Sequence, residues 1–173
     1  MTSALLVVDV QNAVVEGIPG RDELIAVIAR LVENARAAGR PVVWVRHGDE
    51  DLLHGSDPWQ IVSELNPRLN ETIVDKHHRS AFGDTGLGDL LRTQGIRRLV
   101  IVGAQTAFCV DMAGKHALAE GFDVTWVSDG HANGDQETAV GAIPDGPLLD
   151  ILRAVIADNR DGGWRRIKAR NPG

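Results

Sequence analysis

The sequence predicts an α/β fold, a three-layer, doubly wound sheet of about six strands, mostly parallel, with helices on both faces. Two observations predict it. Short, continuous apolar runs recur along the chain, and continuous runs suit strands buried on both faces rather than strands with one wet face. Amphipathic segments of helical period separate those runs, the order that right-handed parallel crossovers require. No internal repeat, low-complexity tract or linker interrupts this order, so residues 1–173 are read as a single domain.

The elements follow in turn. Residues 4–10 (ALLVVDV) form the first buried strand. Residues 21–38 carry Leu24, Ile25, Val27, Ile28, Leu31, Val32 and Ala35 at helical spacing, and Gly39 stands where a helix stops. Residues 41–46 give a second strand. A polar stretch leads to a short helix at 59–65 and a third strand at 71–75. A helix at 87–93, capped by Thr85 and stopped by Gly95, precedes the strongest central strand, 98–103. A helix at 106–120, a strand at 123–127, a helix at 147–158 and an edge strand at 165–169 complete the order. The glycine-rich stretch 130–146 reads as a lid or as a long surface loop.

Composition narrows the function. The chain has 43% hydrophobic and 24% charged residues, ordinary for a folded protein. Acids outnumber bases 24 to 18, and the basic clusters Arg97-Arg98 and 165–168 are short and separate. Nucleic acid would need a continuous basic face, so none is expected as a partner. No run is long enough to span a bilayer, and the first apolar run is too short for a signal-peptide core and has no basic leader. The single cysteine forms no internal disulfide, which fits a reducing compartment, so a cytoplasmic location is expected. Taken alone, that cysteine is either a small buried hydrophobe or a nucleophile.

In open parallel sheets, ligands bind beyond the carboxyl ends of the strands. Asp9 ends the first strand, Arg46 and His47 the second, and Lys76 and His77 follow the third. Residues 103–106 follow the central strand, Cys109 lies one turn into the next helix, and Ser128 and Asp129 end the fifth strand. Asp9 follows an apolar run, where a carboxylate is costly without a partner; it is either a cap on loop amides or a functional acid. Lys76 is either a solvated loop lysine or the counter-charge of Asp9. A helix start and a nearby ammonium are expected to bring the Cys109 thiol from its free value of about 8.5 toward neutrality. The same turn offers backbone amides to an oxyanion. Gly83, Gly86 and Gly88 do not make a nucleotide-binding turn.

Three segments carry a family resemblance: ALLVVDVQN at 4–12; DKHHRSAF at 75–82, with Thr85 and Leu87 after it; and VGAQTAFCV at 102–110, with Ala117, Gly121 and Asp129 downstream. On these motifs the chain resembles the isochorismatase-like cysteine hydrolases, whose members include nicotinamidases, carbamoylsarcosine amidohydrolases and streptothricin hydrolases. The resemblance implies an Asp9–Lys76–Cys109 triad, a cis bond between Ala104 and Gln105, and an oxyanion hole from the Gln105 and Cys109 amides. It implies hydrolysis of a small-molecule amide through a thioester, by an enzyme that assembles as a homo-oligomer. The pocket is expected to draw on Gln11, His47, Trp59, Phe82 and Ala104, although an aromatic placed like Trp59 is more often a core residue.

The chain also departs from the family. Nicotinamidases carry an Asp-x-His metal motif after the second strand, where this chain reads His47-Gly48-Asp49-Glu50-Asp51. His47, His54, His77 and His78 match no zinc spacing, so no metal and no other cofactor is expected. Ala113 and Lys115 stand where relatives often have threonine and arginine, and the chain has no tyrosine for stacking. The competing readings are vinyl-ether hydrolysis of isochorismate, which does not use the thiol as nucleophile, and a non-catalytic binding relative of the fold. An intact triad argues against both.

Overall fold

The computed structural model of the protein describes residues 2–134 and 165–167. Six strands form one sheet in the order β3-β2-β1-β4-β5-β6, and every pairing is parallel. The strands are β1 (Thr2–Val8), β2 (Val42–His47), β3 (Thr72–Lys76), β4 (Ile96–Ala104), β5 (Asp123–Ala132) and β6 (Arg165–Ile167). The helices are α1 (Asn12–Val15), α2 (Arg21–Ala37), α3 (Leu87–Thr93) and α4 (Asp111–Ala119), with a 3-10 turn at Ser63–Leu65 and a π-helical turn at Thr106–Val110.

The alternation of side chains along β1 divides the core into two layers. Ala4, Leu6 and Val8 face one side, where Leu87 and Leu91 of α3 and Ala113 and Ala117 of α4 cover them. Leu5 and Val7 face the other, where Leu24, Ile25, Ile28 and Val32 of α2 cover them. The continuous apolar runs are thus strands buried on both faces. Strand order reverses direction between β1 and β4, so the chain after β1 and the chain after β4 diverge from neighbouring points. A crevice at such a reversal is where this architecture places ligands.

Several expected elements are shifted. The helix expected at 59–65 is only the turn Ser63–Leu65. Its first half lies against the chain leaving β1: Ala13 N donates to Pro58 O, Asn12 N to Gln60 O and Val62 N to Val10 O. Those long-range bonds outcompete local helix formation. β5 does not stop at residue 127 but runs through Ser128 and Asp129 to Ala132, with a register shift opposite Ile101 and Gly103. The helix after β4 begins as a π turn rather than an α-helix, with Val110 N reaching back to Gln105 O. Thr85 accepts from Leu87 N, while Gly86 in the left-handed conformation is the residue at the cap. Residues 165–167 form the edge strand. The helix expected at 147–158 and most of the 130–146 stretch lie outside the described residues.

Two backbone positions shape the crevice. Asp9 leaves β1 with φ 51°, a left-handed state that aspartate tolerates better than most residues. Gly103 has φ 131°, and a Cβ there would lie 2.0 Å from Val8 O. Only glycine lets β4 approach β1 at the reversal. Gly103→Ala is expected to cost more than about 2 kcal/mol, read as a lowered urea midpoint in chemical denaturation.

Candidate active site

Four strands each deliver one polar group to the carboxyl edge of the sheet. Asp9 follows β1, His47 ends β2, Lys76 ends β3, and Cys109 lies in the π turn after β4. Lys76 is the hub. Its Nζ lies 2.8 Å from Asp9 Oδ2, 3.4 Å from Cys109 Sγ and 3.3 Å from His47 Nδ1. The side chains of Lys76 and Asp9 are 0% and 1% exposed, so this is a buried ion pair. Charge rather than alignment joins them, because neither Asp9 oxygen has a partner of good hydrogen-bond geometry. The Ala104–Gln105 peptide bond, at the start of the turn that carries Cys109, is cis.

Burial governs the electrostatics. It raises the Asp9 carboxyl above its ordinary 3.8, while the Lys76 charge and the Cys109 thiol draw it back down. Burial also pushes the Cys109 thiol up to about 12, reinforced by the Asp9 charge and opposed by Lys76. The expectation of a thiol lowered toward neutrality is therefore corrected. The loss of water and then the Asp9 charge outweigh the ammonium of Lys76. The resting thiol is protonated, and a nucleophile there requires a base. Asp9, whose carboxyl burial holds above the range of a surface carboxylate, is the acidic group that stands beside the thiol and the ammonium.

The other expected pocket residues separate into distinct roles. Gln11 is fully buried; its Nε2 donates to His47 O (2.9 Å) and Trp59 O (2.7 Å), and its Oε1 accepts from His47 N (2.7 Å). Both of its donor hydrogens are used, which makes it a brace between β2 and the 58–62 segment rather than a pocket wall. Phe82 packs in the core against Phe122, with ring centroids 5.9 Å apart. Ala104 is fully buried in the opposite layer. Trp59 does line a cavity, of about 400 Å³, together with Lys76, His54, His77 and Leu53. The Arg46 guanidinium sits 3.6 Å from the Trp59 ring centroid, and two bonds to Asp75 hold it there.

The histidines have separate partners. His54 faces Asp75, His78 faces Asp84, and His77 contacts Gly48 O. Among the described residues no three His, Cys, Asp or Glu side chains converge on a metal position, and no helix is long and apolar enough to cross a membrane. Ala113 is core, and Lys115 pairs with Asp111 along α4 at 2.6 Å.

Two contacts were not foreseen from sequence. Ser80 Oγ meets His116 Nδ1 at 2.8 Å, which ties the segment after β3 to the helix that continues from Cys109. His47 meets Lys76, although it was expected to face substrate. Both partnerships join distant parts of the chain, and no local pattern announces them.

The hub sets a stability expectation. Lys76→Met leaves Asp9 buried without its counter-charge and is expected to lower unfolding free energy by about 3–5 kcal/mol. Adding Asp9→Leu removes the stranded charge and is expected to recover most of that loss, read as the coupling in a double-mutant denaturation cycle.

The comparisons with known proteins agree with this architecture. Residues 3–144 match the isochorismatase domain model. The chain is 31% identical to the secreted isochorismatase effector Isc1 of Verticillium dahliae, over 90% of this chain and 84% of that protein. It is 36% identical to a streptothricin hydrolase of Streptomyces noursei over 87% of this chain, but spans only 62% of that protein. The crystal structure of N-carbamoylsarcosine amidase from Thermoplasma acidophilum shares the fold, with a TM-score of 0.80 at 24% identity and all of both chains covered. With its central strands, its glycine at the β1–β4 reversal and most of its length in the matched region, the chain belongs to the isochorismatase family, a family of hydrolases with amidases among its members.

Proposed function

We propose that the protein is a cysteine amidohydrolase that cleaves the C–N bond of a small amide through a thioester. The observation that carries this reading is the placement of one buried ammonium, Lys76, within 2.8 Å of Asp9 and 3.4 Å of Cys109. That arrangement supplies a nucleophile, a base and a charge that steadies both.

In this mechanism Asp9 takes the Cys109 proton as Sγ attacks the amide carbonyl. The ammonium of Lys76 offsets the negative charge as it passes between carboxylate and sulfur. The amides of Gln105 and Cys109 receive the tetrahedral oxyanion. Protonated Asp9 gives its proton to the leaving amine, the C–N bond breaks, and a thioester remains on Cys109. Asp9 then takes a proton from water, hydroxide adds to the thioester, and the acid leaves with Cys109 reprotonated. No metal or other cofactor takes part. The enzyme works as a homo-oligomer in a reducing compartment that protects its lone thiol, although Isc1 is a secreted relative.

The test is a panel of small amides followed by ammonia release and intact mass. The expected result is turnover with a transient acyl adduct on Cys109. Cys109→Ala and Asp9→Asn are expected to lower kcat by about 100-fold or more. Full turnover by Cys109→Ala, as vinyl-ether hydrolysis would allow, contradicts the reading. Because Asp9 must be ionised and burial raises it, kcat/KM is expected to fall as pH drops through a value above the ordinary 3.8.

A further inference from the structure

We propose that His47 is a positioning residue for the Lys76 ammonium, with Asp49 fixing the ring tautomer that lets it serve. The inference rests on the reading of Lys76 as part of the reacting site. An ammonium has three N–H donors and accepts nothing. The Lys76 ammonium is cut off from water and has three facing groups: Asp9 from β1, Cys109 from the turn after β4, and His47 Nδ1 at 3.3 Å from β2. Each comes from a different element: Cys109 and His47 stand at hydrogen-bond distance and direct two donors, while Asp9 holds the ammonium by charge. The proposed mechanism uses only two of the three groups.

The tautomer follows from the partners. Nδ1 faces a pure donor and must present its lone pair. Nε2 lies 3.0 Å from Asp49 Oδ2 and must carry the proton if that carboxylate is ionised. Asp49 is held in that form locally. Its Oδ1 accepts from Leu52 N at 2.8 Å and Asp51 N at 3.0 Å, and these amide bonds, that of Leu52 foremost, keep its carboxyl below the ordinary value. Gln11 clamps the His47 backbone at both its N–H and its carbonyl, so the ring is anchored at its root as well as at its far nitrogen. A line of contacts thus runs from the loop amides through Asp49 and His47 to Lys76 and the thiol. The charged groups facing the ring are Lys76 from β3, Asp9 from β1 and Asp49 from its own loop. A neutral Nε2–H imidazole satisfies the two nearest without adding charge.

Two measurements on the full chain test the proposal. The first needs no substrate: nitrogen–proton correlation spectra of the ¹⁵N-labelled imidazoles near neutral pH, with His47 identified by its loss in His47→Asn. The expected result is a single ring proton on Nε2, and a mixed tautomer in Lys76→Met. A proton on Nδ1, or a His47 signal unchanged in Lys76→Met, overturns the proposal. The second is kinetic. His47→Leu removes the acceptor and is expected to lower kcat by about 10- to 100-fold with KM nearly unchanged. His47→Asn places an amide oxygen where Nδ1 stands and is expected to recover most of that loss. Wild-type kcat in His47→Leu, or no recovery in His47→Asn, overturns it. Absence of amide turnover by the wild type would count against the amidohydrolase reading alone, since the spectra decide the His47 tautomer without it.

Discussion

The buried ion pair between Asp9 and Lys76 is the constraint on which the rest of the site depends. A carboxylate and an ammonium withdrawn from water are expensive unless each sits where the other needs it. Their placement in turn requires β1 and β3 to end level with one another, although β2 lies between them in the sheet. The register of β2 against both neighbours sets that level: Val45 pairs with Val8 and with Val74, and His47 pairs with Lys76. Gly103 sets the other side by letting β4 close on Val8. The apolar layers on both faces of the sheet supply the stability that a site of this kind subtracts from the fold.

The sign of that subtraction follows from Asp9. Folding raises its carboxyl above the unfolded value, so its favourable contribution is complete below the unfolded value and is lost as pH rises through the folded one. The Lys76 charge beside it opposes that rise and favours the ionised carboxylate. The left-handed backbone of Asp9 is a second local cost at the same residue.

Much of this was legible in the sequence. The apolar runs at 4–8, 42–45 and 99–102 revealed doubly buried strands because burial on both faces removes the need for alternation. The strand-end positions of Asp9, Lys76 and Cys109 were legible because a parallel sheet gathers its carboxyl ends at one edge. What escaped was whatever depends on partners distant in sequence. The 59–65 segment has helical spacing, yet only Ser63–Leu65 is helical, because Gln60 and Val62 bond to the chain after β1 instead. Gln11 braces β2 against the 58–62 segment and His47 meets Lys76, partnerships that no local pattern announces. The protonation of Cys109 was misread for the same reason. Proximity to a helix start is local and visible, whereas desolvation and the opposing charge of Asp9 appear only once the layers close over the site.

The central claim is that Cys109 rests as a thiol and is activated by Asp9 during the reaction, rather than standing as a preformed thiolate. As the chain has one cysteine, its ionisation can be followed directly by the ultraviolet absorbance of the thiolate, taken as the difference between wild type and Cys109→Ala across pH. The account predicts no thiolate signal from about pH 7 to about pH 10, with ionisation only beyond the range of an ordinary cysteine. A full thiolate signal already present at neutral pH would contradict it.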